Sequence, residues 1–441
     1  MGFERIPGTE AEYGLISFDA EGRERLEGTT LMSARLLEKA SKESVTNVFF
    51  FCHGWKGDLP AARDQYNLWM KALLDSADRK RAGGVFPGFS PLLMGLHWPS
   101  LPWGDEELGD GGSFAGDGGV SPEWLLKAYL ERLGNRAEIR KPLELILEVA
   151  RKNSAPDFLP KEVRQAYLEL NDALGLKSEG AGAAPDADRQ GFDPELSYQA
   201  ANEEGSAGFG GYNLGGILGP LRQLSYWTMK KRARTVGESG MHVFLKNLQD
   251  ATAGGATRIH LMGHSFGTIV VSGMLGGPDS SGTLPRPVDS AVLVQGAVSL
   301  WSYAPSIPFE RAGAGYFSRI FVDKKVSGPL VTTKSKHDTA VGKLYPLASR
   351  VKGAASFPLG KEAPTFPEFG AIGAFGLQGI SDAKALEMRA VTDSYPFQKG
   401  KLFNLEASKY IAKMEGASGA HNDIGGPEVA HAIWEAAFAS V

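Results

Sequence analysis

One stretch of this chain leaves few folds open. Arg258–Met262 reads RIHLM, an apolar-leaning strand. Gly263-His264-Ser265-Phe266-Gly267 follows without a spacer, and Thr268–Leu275, TIVVSGML, continues as a helix. A strand, a sharp turn and a helix in direct succession suit a parallel sheet with helical crossovers. So sharp a turn puts its central residue in a strained backbone region, and only tiny residues fit two positions to either side. Gly263 and Gly267 meet that demand, which places Ser265 at the apex. The helix that starts there aims its first N–H groups at the same point.

The same alternation runs through the rest of the chain. Residues 11–30 alternate and turn at Glu21-Gly22, which predicts an opening β-hairpin. Residues 31–44 place Leu31, Leu36 and Leu37 on one side of a helix. Val45–Phe51, VTNVFFF, is a continuous apolar run of the kind buried on both faces of a parallel sheet. A helix over 60–76 follows, then a strand at Leu92–Trp98. Ser290–Val294, Leu330–Thr333 and Leu402–Leu405 are further strands, and Pro427–Ala439 is a terminal helix with proline in its first turn. The expected class is α/β, with a mostly parallel central sheet flanked by helices.

Two stretches break the alternation. Residues 104–217 lie between two sheet strands, with glycine-rich ends and a helical centre over 121–175. Residues 352–398 are apolar and glycine-rich, with Phe357, Phe366, Phe369 and Phe375. The core is therefore expected in residues 1–103, 218–351 and 399–441. Much of an unusual glycine content falls in these two stretches: 56 of 441 residues are glycine, about 13% against a usual 7% or so.

Composition narrows the function. The net charge is −4, which offers no field for a polyanion, so no nucleic-acid partner is expected. The one basic cluster, Lys230-Lys231-Arg232-Ala233-Arg234, reads as the solvated face of a helix. Cys52 is the single cysteine, so no internal disulfide can form. The first residues carry no apolar stretch of secretory type, and position 6, an isoleucine, departs from the myristoylation pattern. No apolar run reaches the length that spans a bilayer. The expectation is a cytoplasmic protein. Zinc-type His/Cys spacing, a Walker motif and a dinucleotide fingerprint are all missing, so neither metal nor cofactor is expected.

The elbow at Gly263–Gly267, the His-Gly after the strand Val45–Phe51, and the order of the later elements resemble the α/β-hydrolase superfamily. The resemblance covers the core and not the two insertions. It implies a nucleophile, an acid and a histidine base in that chain order. Of the histidines, only His337, His421 and His431 follow Ser265. His421 lies in the loop after the last strand and is expected as the base. His431 falls inside the terminal helix, which suits packing. Asp338, after the strand Leu330–Thr333, is the expected acid, with Asp323, Asp382 and Asp393 as rivals. His337 beside it reads as a bystander. The resemblance also implies an oxyanion hole formed by the backbone N–H groups of Trp55 and Phe266. The HGGG signature of some esterases is missing, since this chain reads His53-Gly54-Trp55-Lys56-Gly57.

Other residues near these motifs suit supporting roles. His53 would brace the loop by hydrogen bonding, with Gly54 allowing a tight turn, and His264 would pack beside the serine. Cys52 reads as a packed strand-end residue, Asp58 as a turn residue, and Asp423 as a cap for the terminal helix. The expected activity is hydrolysis of carboxylic esters with an apolar acyl group. Peptidase, amidase or thioesterase chemistry on the same residues is the alternative, and a hydrolase-fold binding protein without activity is a remote one.

Overall fold

The structure, a computed structural model, describes residues 3–55, 58–100, 122–176, 182–206, 216–254, 256–309, 313–344 and 365–441. Residues 104–121, 177–181, 207–215 and 352–364 of the two expected insertions lie outside them, as do Lys56 and Gly57.

Nine strands form one sheet: β1 (Glu4–Arg5), β2 (Glu12–Ser17), β3 (Asn47–Cys52), β4 (Pro91–His97), β5 (Arg258–His264), β6 (Ser290–Val294), β7 (Leu330–Lys334), β8 (Lys384–Glu387) and β9 (Leu402–Glu406). Their order is β1-β2-β4-β3-β5-β6-β7-β9-β8. Every pairing is parallel except β1 with β2. The apolar strands explain the layering. In β3, Val48, Phe50 and Cys52 join one core while Phe49 and Phe51 join the other. Side chains alternate across a strand, so a strand buried on both faces is mostly apolar, and the buried Asn47 of β3 is matched by a hydrogen bond to His260.

From β3 the chain crosses to β4 on one side, and from β4 it passes over to β5 on the other side of β3. Right-handed crossovers in opposite directions place their helices on opposite faces. Helices Leu59–Asp75, Asp78–Val85 and Pro427–Phe438 pack on one face through Tyr66, Trp69, Met70, Val429 and Trp434. Helices Met32–Lys42, Gly219–Val236, His242–Ala251 and Gly267–Gly276 cover the other through Leu36, Met229, Val236, Leu245 and Ile269. The chain order reverses between β3 and β5, and sheets of this kind bind ligands outside the carboxyl ends of the strands at such a point.

Between β4 and β5, helices Pro122–Leu133, Ala137–Lys152, Lys161–Leu174 and Pro194–Ser206 carry their own apolar cluster, including Leu143, Ile146, Val163, Tyr167 and Leu170. Leu221, Leu224 and Trp227 close it from the helix Gly219–Val236. That helix therefore serves two cores at once.

Several expectations need correction. The basic cluster on this helix is not solvated. Lys230 is 0% exposed, and its Nζ lies 4.4 Å from the Trp227 ring centre. Burial lowers its pKa to about 7, opposed by Asp188 and Asp186. Arg232 donates to the carbonyls of Pro99 and Arg132, Lys231 to that of Leu174, and Arg234 pairs with Asp186 at 2.8 Å. The opening hairpin shrinks to a single bridge, Phe18 to Glu24, because β2 pairs instead with β1 and β4. In the expected apolar cap, Lys384–Glu387 is the edge strand β8, and Ile372–Phe375 is a short helix pinned against the loop after β6. Asp423 accepts from the Ala412 and Lys413 amides instead of capping the terminal helix. Asp58 caps the helix Leu59–Asp75 by accepting from Ala61.

Among the described residues, no helix is long and apolar enough to cross a membrane.

Candidate active site

Ser265 stands where β5 turns into the helix Gly267–Gly276, with φ at +54°. Few residues other than glycine adopt that region. The turn is tight on both flanks: a β-carbon on Gly263 would lie 2.6 Å from the Gly267 carbonyl oxygen, and one on Gly267 would strike the Cys52 carbonyl. The Ser265 amide donates to the Val294 carbonyl, which ties the turn to β6.

His421 comes from the loop after β9 and Asp338 from the turn after β7. Ser265 Oγ lies 2.8 Å from His421 Nε2, and His421 Nδ1 lies 2.7 Å from Asp338 Oδ2. A carboxylate only accepts, so Nδ1 carries the proton and Nε2 is left to accept from the serine hydroxyl. The loops are stitched together by backbone: the Ala420 amide donates to the His337 carbonyl, and Asp338 bridges Gly419. The Asp338 side chain is fully buried. The rivals stand elsewhere. Asp323 pairs with Arg319 at the end of a short helix, Asp382 pairs with Lys401, and Asp393 is exposed.

His264 braces His421 from behind. Its Nε2–H donates to the His421 carbonyl at 2.9 Å, and its ring centre is 4.8 Å from that of His421. Gln65 approaches its other ring nitrogen at 3.4 Å. His337 contributes backbone to the site.

The loop after β3 lies beside the serine. Gly54 is in direct contact with Ser265, and its lack of a side chain permits the approach. His53 Nδ1 is 2.8 Å from the Gly54 carbonyl, so Nδ1–H is the donor. Peptide planarity then turns the Trp55 N–H of the same peptide to the opposite side. Burial, with His97 adding to it, lowers the His53 pKa to about 3 and keeps the ring neutral. Cys52 is fully buried, and burial raises its thiol pKa well above the usual value. Phe266 is the N-cap of the helix Gly267–Gly276. Its ring packs with Trp55 at 5.6 Å and Tyr226 at 5.1 Å, an aromatic cluster that starts at the residue after the serine.

Two contributors escape sequence reasoning. Gln295, directly after β6, donates from Nε2 to Asp338 Oδ2 at 2.8 Å. Tyr226 joins the aromatic cluster from a helix more than thirty residues before the elbow. Neither lies in a motif. The only signal for Gln295 is a polar residue ending the apolar run SAVLV.

Asp78, His431 and Glu435 also cluster, on the sheet face that the terminal helix covers. Arg81 donates to both carboxylates, at 2.7 and 2.8 Å, and His431 pairs with Asp78 at 2.6 Å. The group is a closed ion-pair network on that face.

Comparison of the chain with protein-family models, with curated proteins and with solved structures finds no match.

Proposed function

We propose that this protein is a serine hydrolase of α/β-hydrolase type, cleaving carboxylic esters with an apolar acyl group. One observation carries the reading. A serine held at φ +54° has its Oγ 2.8 Å from a histidine nitrogen, whose partner nitrogen is 2.7 Å from a buried carboxylate. Nucleophile, oriented base and orienting acid in hydrogen-bond sequence are the requirements for acyl transfer.

In the proposed reaction His421 Nε2 takes the proton from Ser265 Oγ as the oxygen attacks the ester carbonyl. Asp338 holds the imidazole by Nδ1–H and stabilises the imidazolium. The carbonyl oxygen becomes anionic and is met by the Trp55 and Phe266 amides. One such donor is worth about 3–4 kcal/mol. His421 then gives its proton to the leaving alcohol, and water, deprotonated by the same histidine, clears the acyl-enzyme. The aromatic cluster of Trp55, Tyr226 and Phe266 beside the elbow supports an apolar acyl chain.

A fluorophosphonate probe tests the nucleophile: wild type should be labelled at Ser265 and Ser265→Ala should not. A panel of p-nitrophenyl esters of rising chain length tests the substrate. Turnover of aminoacyl amides without ester turnover would replace the esterase reading by a peptidase or amidase. A wild type that the probe does not label would overturn the hydrolase reading.

A further inference from the structure

We infer that Gln295 is a positioning residue for the acid of the proposed relay, a role that rests on the hydrolase reading above. Its side chain is fully buried at the carboxyl end of β6, between the strands that precede Ser265 and Asp338. The amide nitrogen donates to Asp338 Oδ2 at 2.8 Å and to the Gly373 carbonyl at 3.2 Å. The amide oxygen accepts from Thr333 Oγ1 at 2.9 Å, and Thr333 Oγ1 accepts in turn from the Gln295 backbone N–H at 3.0 Å. Every polar atom of the side chain has a partner of the right kind. The reverse amide orientation would set its oxygen against both a carboxylate and a carbonyl, so only one orientation is satisfied.

The oxygen that Gln295 binds is the one that accepts from His421 Nδ1. The other, Oδ1, accepts from the Val341 amide at 3.1 Å. His421, Gln295 and Val341 therefore all donate to the carboxylate, and Gln295 is the side chain among these three that comes from neither the acid's own turn nor the base. Its backbone sits at φ +43°, where a side chain is rarely tolerated and glycine would be at ease. The strain is retained together with a side chain that reaches Asp338. Gly373 adds a further link, since the same amide group ties the short helix Ile372–Phe375 to the acid.

Two substitutions test this. Gln295→Met keeps the length and removes both donors. It should lower kcat by about 10–100-fold, the usual loss when a partner orienting a functional ligand is removed, with KM nearly unchanged. Gln295→Glu supplies a shape match whose protonated carboxyl can still donate to Asp338. Two carboxyls this close share a proton that leaves as pH rises. The ratio of Gln295→Glu to wild-type kcat should therefore fall steadily with rising pH. A ratio independent of pH, or a Gln295→Met enzyme with wild-type kcat, would overturn the role while leaving the hydrolase reading intact. An unlabelled, inactive wild type would instead overturn that reading and this inference with it.

Discussion

Gly54 and Ser265 lie so close that a β-carbon on Gly54 would stand 2.5 Å from Ser265 Cβ and 3.1 Å from its Oγ. The Gly54→Ala variant must push apart the loop after β3 and the turn after β5. We expect a stability loss of about 1–3 kcal/mol, typical of overpacking, read from urea unfolding. Fluorophosphonate labelling should slow in parallel, because the displaced loop carries one of the two proposed oxyanion donors. Unchanged labelling would remove that loop from the site.

The turn itself makes a second, opposite prediction. Ser265→Ala and Ser265→Gly both lose the hydroxyl, but alanine keeps the left-handed strain of φ +54°. Glycine normally destabilises relative to alanine; here it should be the more stable variant by about 1 kcal/mol. The comparison of their urea midpoints checks it, and both should be inert.

Asp338→Asn removes the charge that stabilises the imidazolium and leaves an amide NH2 facing one of the three donors that the carboxylate now accepts from. We expect kcat to fall by about 10³–10⁴. Asparagine at Asp323, Asp382 or Asp393 should stay within a few-fold of wild type, since those carboxylates pair elsewhere or face solvent. A large loss at one of these three and none at Asp338 would move the acid.

Stability should depend on pH through buried histidines. Burial lowers the pKa of His53 and His260 from 6.5 to about 3, and that of His97 to about 4. Below 6.5 the unfolded chain takes up protons that the folded protein refuses. Stability is therefore complete above about pH 6.5 and lost as pH falls toward those lower values. Each histidine adds a slope of about 1.4 kcal/mol per pH unit within its window. Among the described residues, His260 hydrogen-bonds to Asn47 and Ser290, both uncharged. His260→Gln should flatten the acid side of the stability curve by one such slope, measured by denaturant unfolding between pH 5 and 7.5.

What could be read from the sequence was whatever a strand pattern carries with it. The apolar runs at Val45–Phe51, Ser290–Val294 and Leu402–Leu405 place sheet strands, because burial on both faces leaves little room for polar residues; Asn47, Ser290 and Asn404 stay buried there by hydrogen bonding. Ser265, Asp338 and His421 then fall at strand ends by chain order. The basic cluster from Lys230 to Arg234 misled for a physical reason: its partners, Asp186 and the carbonyls of Pro99, Arg132 and Leu174, are distant in sequence. Gln295 was silent because a single buried amide has no periodicity. The strand β8, KALE, is an exposed edge and lacks the apolar signature of its neighbours.

The proposed relay draws on the ends of four successive strands in the sheet: Ser265 after β5, Gln295 after β6, Asp338 after β7 and His421 after β9. Serine and base are 156 residues apart in the chain. A growing chain that has made the elbow still has no means of activating its serine. Reactivity would arrive only when the last sheet strand docks and the loop behind it closes, so this design keeps a half-made molecule chemically silent.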